Sequence, residues 1–226
     1  MTTKKNTNGI VYVQGRAYNG VTSRVFEQFG YNVTRNYDEA DIVVWTGGED
    51  INPSIYFEKP LPGTYFSKDR DVDDIAMVDR ALKDKKFLVG ICRGAQLLNC
   101  YPNNGSLWQD VDGHESCHHP IIDEITKEKW VVNSVHHQQM IMGPDGELVA
   151  YTKLAKRKES YGQMWSYGDT KRNLDDPVTQ LDDLDIEACW YPETRSLCMQ
   201  FHPEFEPNGP TAFYAMSLME RYCLNG

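Results

Sequence analysis

An open α/β sheet, largely parallel, is the fold class this 226-residue sequence predicts. Three observations carry it. Apolar β-rich runs alternate with helical periods through about the first 100 residues, as in βαβ units. Each run stops at glycine or another turn residue. Phe87-Leu88-Val89-Gly90-Ile91 is apolar throughout, the pattern of a strand covered on both faces.

Gly9-Ile10-Val11-Tyr12-Val13 reads as the first strand, ended by Gln14-Gly15. Val21, Val25, Phe26 and Phe29 then recur at helical spacing, which predicts a helix over 21–29 closed by Gly30. Tyr31-Asn32-Val33-Thr34 resumes a strand, and Asp41 to Thr46 is a third, stopped by Gly47-Gly48. Ile75, Met77, Val78, Ala81 and Leu82 predict a helix over 74–83 that leads into the Phe87–Ile91 run. In the second half, residues 130–132, 148–151, 186–190 and 196–201 read as strands and 210–222 as a closing amphipathic helix. Without a linker to divide it, the chain reads as a single domain over 1–226, with a polar insertion at about 155–183.

A formal net charge of −10 argues against a nucleic-acid or membrane-surface binder, because phosphate affinity grows with the number of cationic contacts. No run of about 18 apolar residues exists for a membrane span, and the amino terminus has no signal-peptide core, so a cytoplasmic location is expected. The six cysteines lack the spacing of a disulfide framework and are expected to be free thiols.

One of them stands in a distinctive context. Gly90-Ile91-Cys92-Arg93-Gly94 has the form GxCxG between an apolar strand and a segment able to start a helix. It is the thiol counterpart of the GxSxG elbow, in which the nucleophile sits on a sharp turn and its neighbours two positions away must lack side chains. A helix amino terminus also favours thiolate, the attacking species. About 110 residues downstream, Gln200-Phe201-His202-Pro203-Glu204 follows a strand. Strand residues two apart share a face, so His202 and Glu204 can meet. His202 would move the thiol proton to a leaving amine, and Glu204 would orient the imidazole and stabilise its cation.

GICRGAQ followed by QFHPE resembles the class I glutamine amidotransferase superfamily, whose members carry a Cys, His, Glu triad. The likeness is nearer to its γ-glutamyl hydrolase branch, through GGEDINPSIY at 47–56, Asp69-Arg70-Asp71, GSLWQD at 105–110 and VNSVHHQ at 132–138. The resemblance implies a flavodoxin-like three-layer fold with a mostly parallel central sheet and a smaller mixed sheet region. It also implies that Gly47, Gly48 and the N–H of Arg93 form an oxyanion hole. Gln96 and the residues Asn133, Ser134, His136, His137 and Gln138 are implied as contacts to a γ-glutamyl compound or glutamine. Two departures stand out: a short amino-terminal part, and the insertion at 155–183, which mixes cations with aromatics and suits either a surface excursion or a lid.

His114, Cys117, His118 and His119 are metal-ligand types, but their spacing fits no zinc finger and the sequence shows no second ligand pair. The resemblance implies no metal and no cofactor. Three functions compete: a hydrolase that opens a γ-glutamyl amide with water as acceptor, a glutaminase subunit serving a synthetase partner, and a non-catalytic binding protein. The intact Cys92, His202 and Glu204 weigh against the last, and the segments at 47–56 and 132–138 favour the hydrolase.

Overall fold

The computed structural model describes residues 8–153, 156–157 and 184–224. The insertion expected at 155–183 therefore lies outside the described residues, apart from the backbone of Lys156–Arg157. In chain order the elements are β1 (Ile10–Gln14), α1 (Asn19–Gln28), β2 (Asn32–Thr34), β3 (Ile42–Trp45), α2 (Lys68–Lys83), β4 (Phe87–Ile91) and α3 (Arg93–Cys100). They continue with β5 (Ser106–Trp108), β6 (Val111–Asp112), β7 (Cys117–Asp123), β8 (Lys129–Ser134), β9 (Gln139–Ile141), β10 (Glu147–Thr152) and β11 (Lys156–Arg157). The last are β12 (Asp185–Tyr191), β13 (Ser196–Met199) and α4 (Pro210–Met219), which runs on into a π-helical turn, Glu220–Leu224.

The main sheet has the order β2-β1-β3-β4-β13-β12-β10-β7-β8. Pairing is parallel from β2 to β13 and antiparallel from β13 to β8. The parallel and mixed regions are thus one continuous sheet. β9 pairs with β12 and β5, and β11 pairs with β6 in a separate ribbon.

Period-two alternation builds the layers. In β3, Ile42 and Val44 join a core with Val25 and Phe26 of α1 and Tyr214, Ala215 and Leu218 of α4. Val43 and Trp45 face a second core with Val78 and Ala81 of α2 and Leu97 and Leu98 of α3. Because both faces are covered, β3 is buried along its whole length, which explains its unbroken apolar run.

Several elements differ from expectation: the short strands β5, β6 and β9 were not expected, and α2 and β7 depart for reasons of side-chain chemistry. α2 begins at Lys68 rather than 74, capped by the Ser67 hydroxyl, which accepts from the Arg70 N–H (3.4 Å). Its first turns carry buried Arg70, Asp71 and Asp74 instead of an apolar stripe, so hydrophobic periodicity does not reveal them. β7, with two histidines and Pro120, was not expected as a strand. It pairs with β10 only at Asp123 and Ile122, so Pro120 lies beyond that ladder and removes no bond there.

Register sets up the functional region. β4 lies between β3 and β13, with Gly90 level with Trp45 on one side and Cys198 on the other. The segments that follow, Gly47-Gly48, Cys92 and His202, therefore emerge side by side at the carboxyl ends of three adjacent parallel strands. The elbow leaves no room for side chains: a Cβ on Gly94 would overlap the Trp45 carbonyl oxygen, and one on Gly90 the backbone nitrogen of Ala95. Gly94→Ala is expected to lower stability by at least about 2 kcal/mol in urea unfolding. Gly20→Ala, in an open position of α1, should be neutral or raise stability by up to about 1 kcal/mol. Equal effects at the two sites would contradict the packing argument.

Candidate active site

Cys92 follows β4 and precedes α3 with φ 50° and ψ −109°, a backbone state rare for a residue with a side chain. Its N–H donates to the Met199 carbonyl (2.8 Å) and its carbonyl accepts from the Gln96 N–H (2.9 Å), so the turn is fixed from both sides. The first N–H groups of α3, those of Arg93 and Gly94 among them, have no partner within the helix and leave a donor-rich end beside the sulfur.

His202 and Glu204 meet as the spacing predicts, with Nδ1 of the imidazole 2.7 Å from Oε1 of the carboxylate. They do so through a 3-10 turn at Pro203–Phe205 rather than a continued strand. Both are buried. Burial lowers the His202 pKa. The charge of Cys92 and hydrogen bonds to Cys92 and Glu204 outweigh it and raise the imidazole to about 10. The Phe205 ring stacks flat on the imidazole at 4.3 Å, and Tyr18, at the left-handed start of α1, stands steeply against both rings, at 77° and 75°. Sequence reasoning did not reach Tyr18 or Phe205, because neither belongs to a motif with its own chemistry.

The Asn133 carboxamide donates to the His202 carbonyl (2.8 Å) and accepts from the His202 N–H (2.8 Å). Both ends of the carboxamide are engaged with the main chain of His202. Ser134 also turns inward, where its hydroxyl donates to the His114 carbonyl (2.7 Å). His136 is buried and bonds the Gln138 carbonyl through Nδ1 (3.0 Å). That carbonyl also accepts from Gln96 Nε2 (3.2 Å), so Gln96 is a buried tie between α3 and the 134–138 loop, and Gln138 adjoins it. His137 remains partly open, with Nε2 3.0 Å from Asp50 Oδ1. That hydrogen bond is the main cause of a raised His137 pKa. The carboxylate partner that His137 lacks locally is thus supplied by Asp50, 87 positions away.

Gly47 is fixed by close approach, since a Cβ there would lie 2.5 Å from His202 Cε1. Gly48, at φ 142°, lies so near the Arg70 guanidinium that any Cβ would overlap it. Arg70 holds this loop from beneath, donating to the carbonyls of Gly47 (2.9 Å) and Thr46 (3.2 Å) and to Glu49 (2.6 Å). Asp74 lies 3.4 Å from Arg70 Nε and accepts from Arg93 Nη1 (2.6 Å), while Arg93 Nη2 reaches Asp71 at 2.6 Å. The Arg93 side chain is therefore committed to a buried ion network with Asp71 and Asp74. Burial raises the Asp71 pKa, with Arg93 acting against it. Of the Asp69-Arg70-Asp71 segment that signalled kinship in the sequence, Arg70 and Asp71 build this network.

The Peptidase C26 family matches residues 27–204. Protein NtpR of Enterococcus hirae is 29% identical over 162 residues, covering 57% of this chain and 66% of that protein. Gamma-glutamyl-CDP-amidate hydrolase of Campylobacter jejuni is 29% identical over 133 residues, covering 54% of this chain and 60% of that protein. The chain thus spans somewhat under two thirds of either relative. Among solved structures, PurLQS from Thermotoga maritima aligns with 94% of this chain and 97% of its own at a TM-score of 0.61 and 14% identity, a likeness of fold.

Two outcomes test the geometry. The folded-state pKa of His202 lies above the ordinary value of about 6.5, so its stabilising interactions are complete below that pH. They are lost as pH rises through about 10. NMR titration should place the His202 ring near 10, and Cys92→Ala should lower it; an unchanged midpoint in that variant would remove the thiol as a cause. Asp74→Asn, which leaves two buried guanidinium groups short of a charge, is expected to cost about 3–5 kcal/mol in urea unfolding. A loss within about 0.5 kcal/mol, the range of an ordinary surface substitution, would contradict the network's role.

Proposed function

The chain belongs to the Peptidase C26 family, and from that premise we propose that it is a cysteine hydrolase that opens a γ-glutamyl amide through a thioester on Cys92. The observation that carries the reading is the elbow itself: Cys92 held at φ 50° at the amino end of α3, facing an imidazole paired with Glu204 at 2.7 Å. Peptidase C26 membership and the hydrolase named among the relatives support the C–N bond class.

In this reading the Cys92 thiolate attacks the γ-carbonyl carbon, and the π electrons move onto oxygen. Donors in the Gly47-Gly48 loop and the Arg93 N–H meet that charge, where loss of one donor typically costs about 3 kcal/mol of barrier. With a pKa of about 10, His202 holds a proton at neutral pH. It gives this proton to the leaving amine as the C–N bond breaks, then takes one from water as water attacks the thioester. Glutamate leaves and the thiolate returns. Glu204 keeps the ring oriented and stabilises its charged form. In the same reading His137, partly exposed and paired with Asp50, meets the polar end of the glutamyl moiety.

The test is glutamate release across glutamine, γ-glutamyl amines and γ-glutamyl peptides. Wild type should exceed Cys92→Ala by at least about 10³-fold, and a Cys92→Ala variant as active as wild type would refute the proposal. Turnover of γ-glutamyl amines by the isolated protein supports the hydrolase. Activity confined to glutamine and raised by a co-purifying synthetase would replace it with the ammonia-supplying subunit.

A further inference from the structure

Behind the candidate site lies a buried cluster that the reaction does not use. His114, His119, His136 and Glu187 have relative exposures of 0%, 3%, 4% and 0%. They come from the segment before β7, from β7, from the loop after β8 and from β12. One ligand atom from each of His114, His136 and Glu187 lies within 4.8 Å of the others. His114 Nδ1 is 3.4 Å and His119 Nε2 3.5 Å from Glu187 Oε1. These separations approach the ligand-to-ligand edge of about 3.3 Å in a tetrahedron with metal bonds of about 2.0–2.1 Å.

Polar atoms in this cluster lack hydrogen-bond partners. Nε2 of His114, of His119 and of His136 and both carboxylate oxygens of Glu187 are buried without one. Unpaired buried polar atoms cost free energy, and so many in one place call for a missing partner. On His136 and His119 the nitrogen not needed for ligation faces a carbonyl. His114 Nδ1 lies 3.4 Å from the Ser134 hydroxyl and its Nε2, 3.5 Å from Asp185 Oδ2, makes no hydrogen bond, whereas His136 Nδ1 bonds the Gln138 carbonyl at 3.0 Å and His119 Nδ1 lies 3.4 Å from the Pro120 carbonyl. That is how metal-ligating imidazoles are held, with the outer nitrogen on a carbonyl or carboxylate and the lone pair turned inward.

We infer that His114, His119, His136 and Glu187 bind one divalent transition-metal ion, zinc foremost, as a closed four-ligand site. The set of three imidazoles and one carboxylate suits zinc, and no position in it is left for water. Sequence spacing failed to reveal the site because only His114 and His119 are near each other. Cys117, grouped with them by proximity, bonds the Gly113 carbonyl, and His118 turns outward to Glu206. The ion would clip the antiparallel edge of the sheet to β12 and fix the loop that carries His137 and Gln138.

The test uses the untagged full chain carrying Cys92→Ala, so that the candidate nucleophile cannot hold the ion. Protein stripped with chelator and dialysed against zinc should retain about one equivalent by elemental analysis. Adding Glu187→Gln, or His136→Gln if that variant fails to fold, should lower retention by at least about tenfold with the circular dichroism spectrum unchanged. Cobalt loading should give the visible bands of a four-coordinate site. A chain that retains no more zinc than its Glu187→Gln form overturns the inference and leaves a proton-shared His–Glu cluster. So does zinc that is present in wild type but lost with Cys92→Ala alone.

Discussion

The elbow and the Gly47-Gly48 loop opposite it are held against one buried electrostatic core, the network of Arg70, Asp71, Asp74 and Arg93. Burying four charged groups is costly, and replacing such a set with apolar residues is often neutral for stability. Its presence here is explained by geometry. Arg93 is the first residue after the candidate nucleophile, and Arg70 grips the loop opposite. Asp74 contacts both guanidinium groups, so the two halves of the expected oxyanion hole are positioned by one carboxylate.

Around this core, packing supplies what charge does not. Phe205 and Tyr18 enclose one side of His202, Gly47 lies against its edge, and Asn133 holds its main chain at both ends. The other cysteines lack any comparable setting. Burial pushes the thiols of Cys100, Cys198 and Cys223 up, which keeps them protonated and inert. Among the described helices none is long and apolar enough to cross a membrane.

The parallel half of the fold was legible because its signals are local. β1, β3 and β4 are short apolar runs bounded by turn residues, and the elbow and the HPE segment are written in five consecutive residues each. The start of α2 was hidden because its inward face is charged, and β7 because its histidines and proline obscure strand alternation. Site roles that depend on residues far apart in the chain were out of reach. Asn133 reads as a polar loop residue until the segment after β13 is seen to bring His202 against the end of β8, and His136 joins His114 only when the 134–138 loop folds back.

The close fit of Gly94 against the Trp45 carbonyl has a consequence for motion. Functional loops are often drawn from the least stable parts of a protein and open on their own. Here the elbow cannot peel away from β3 without also parting Arg93 from α2 and the Cys92 amide from β13. Its amides should therefore exchange with solvent only in the same rare events that expose the central strands, which makes the region of bond breaking one of the slowest-opening parts of the molecule.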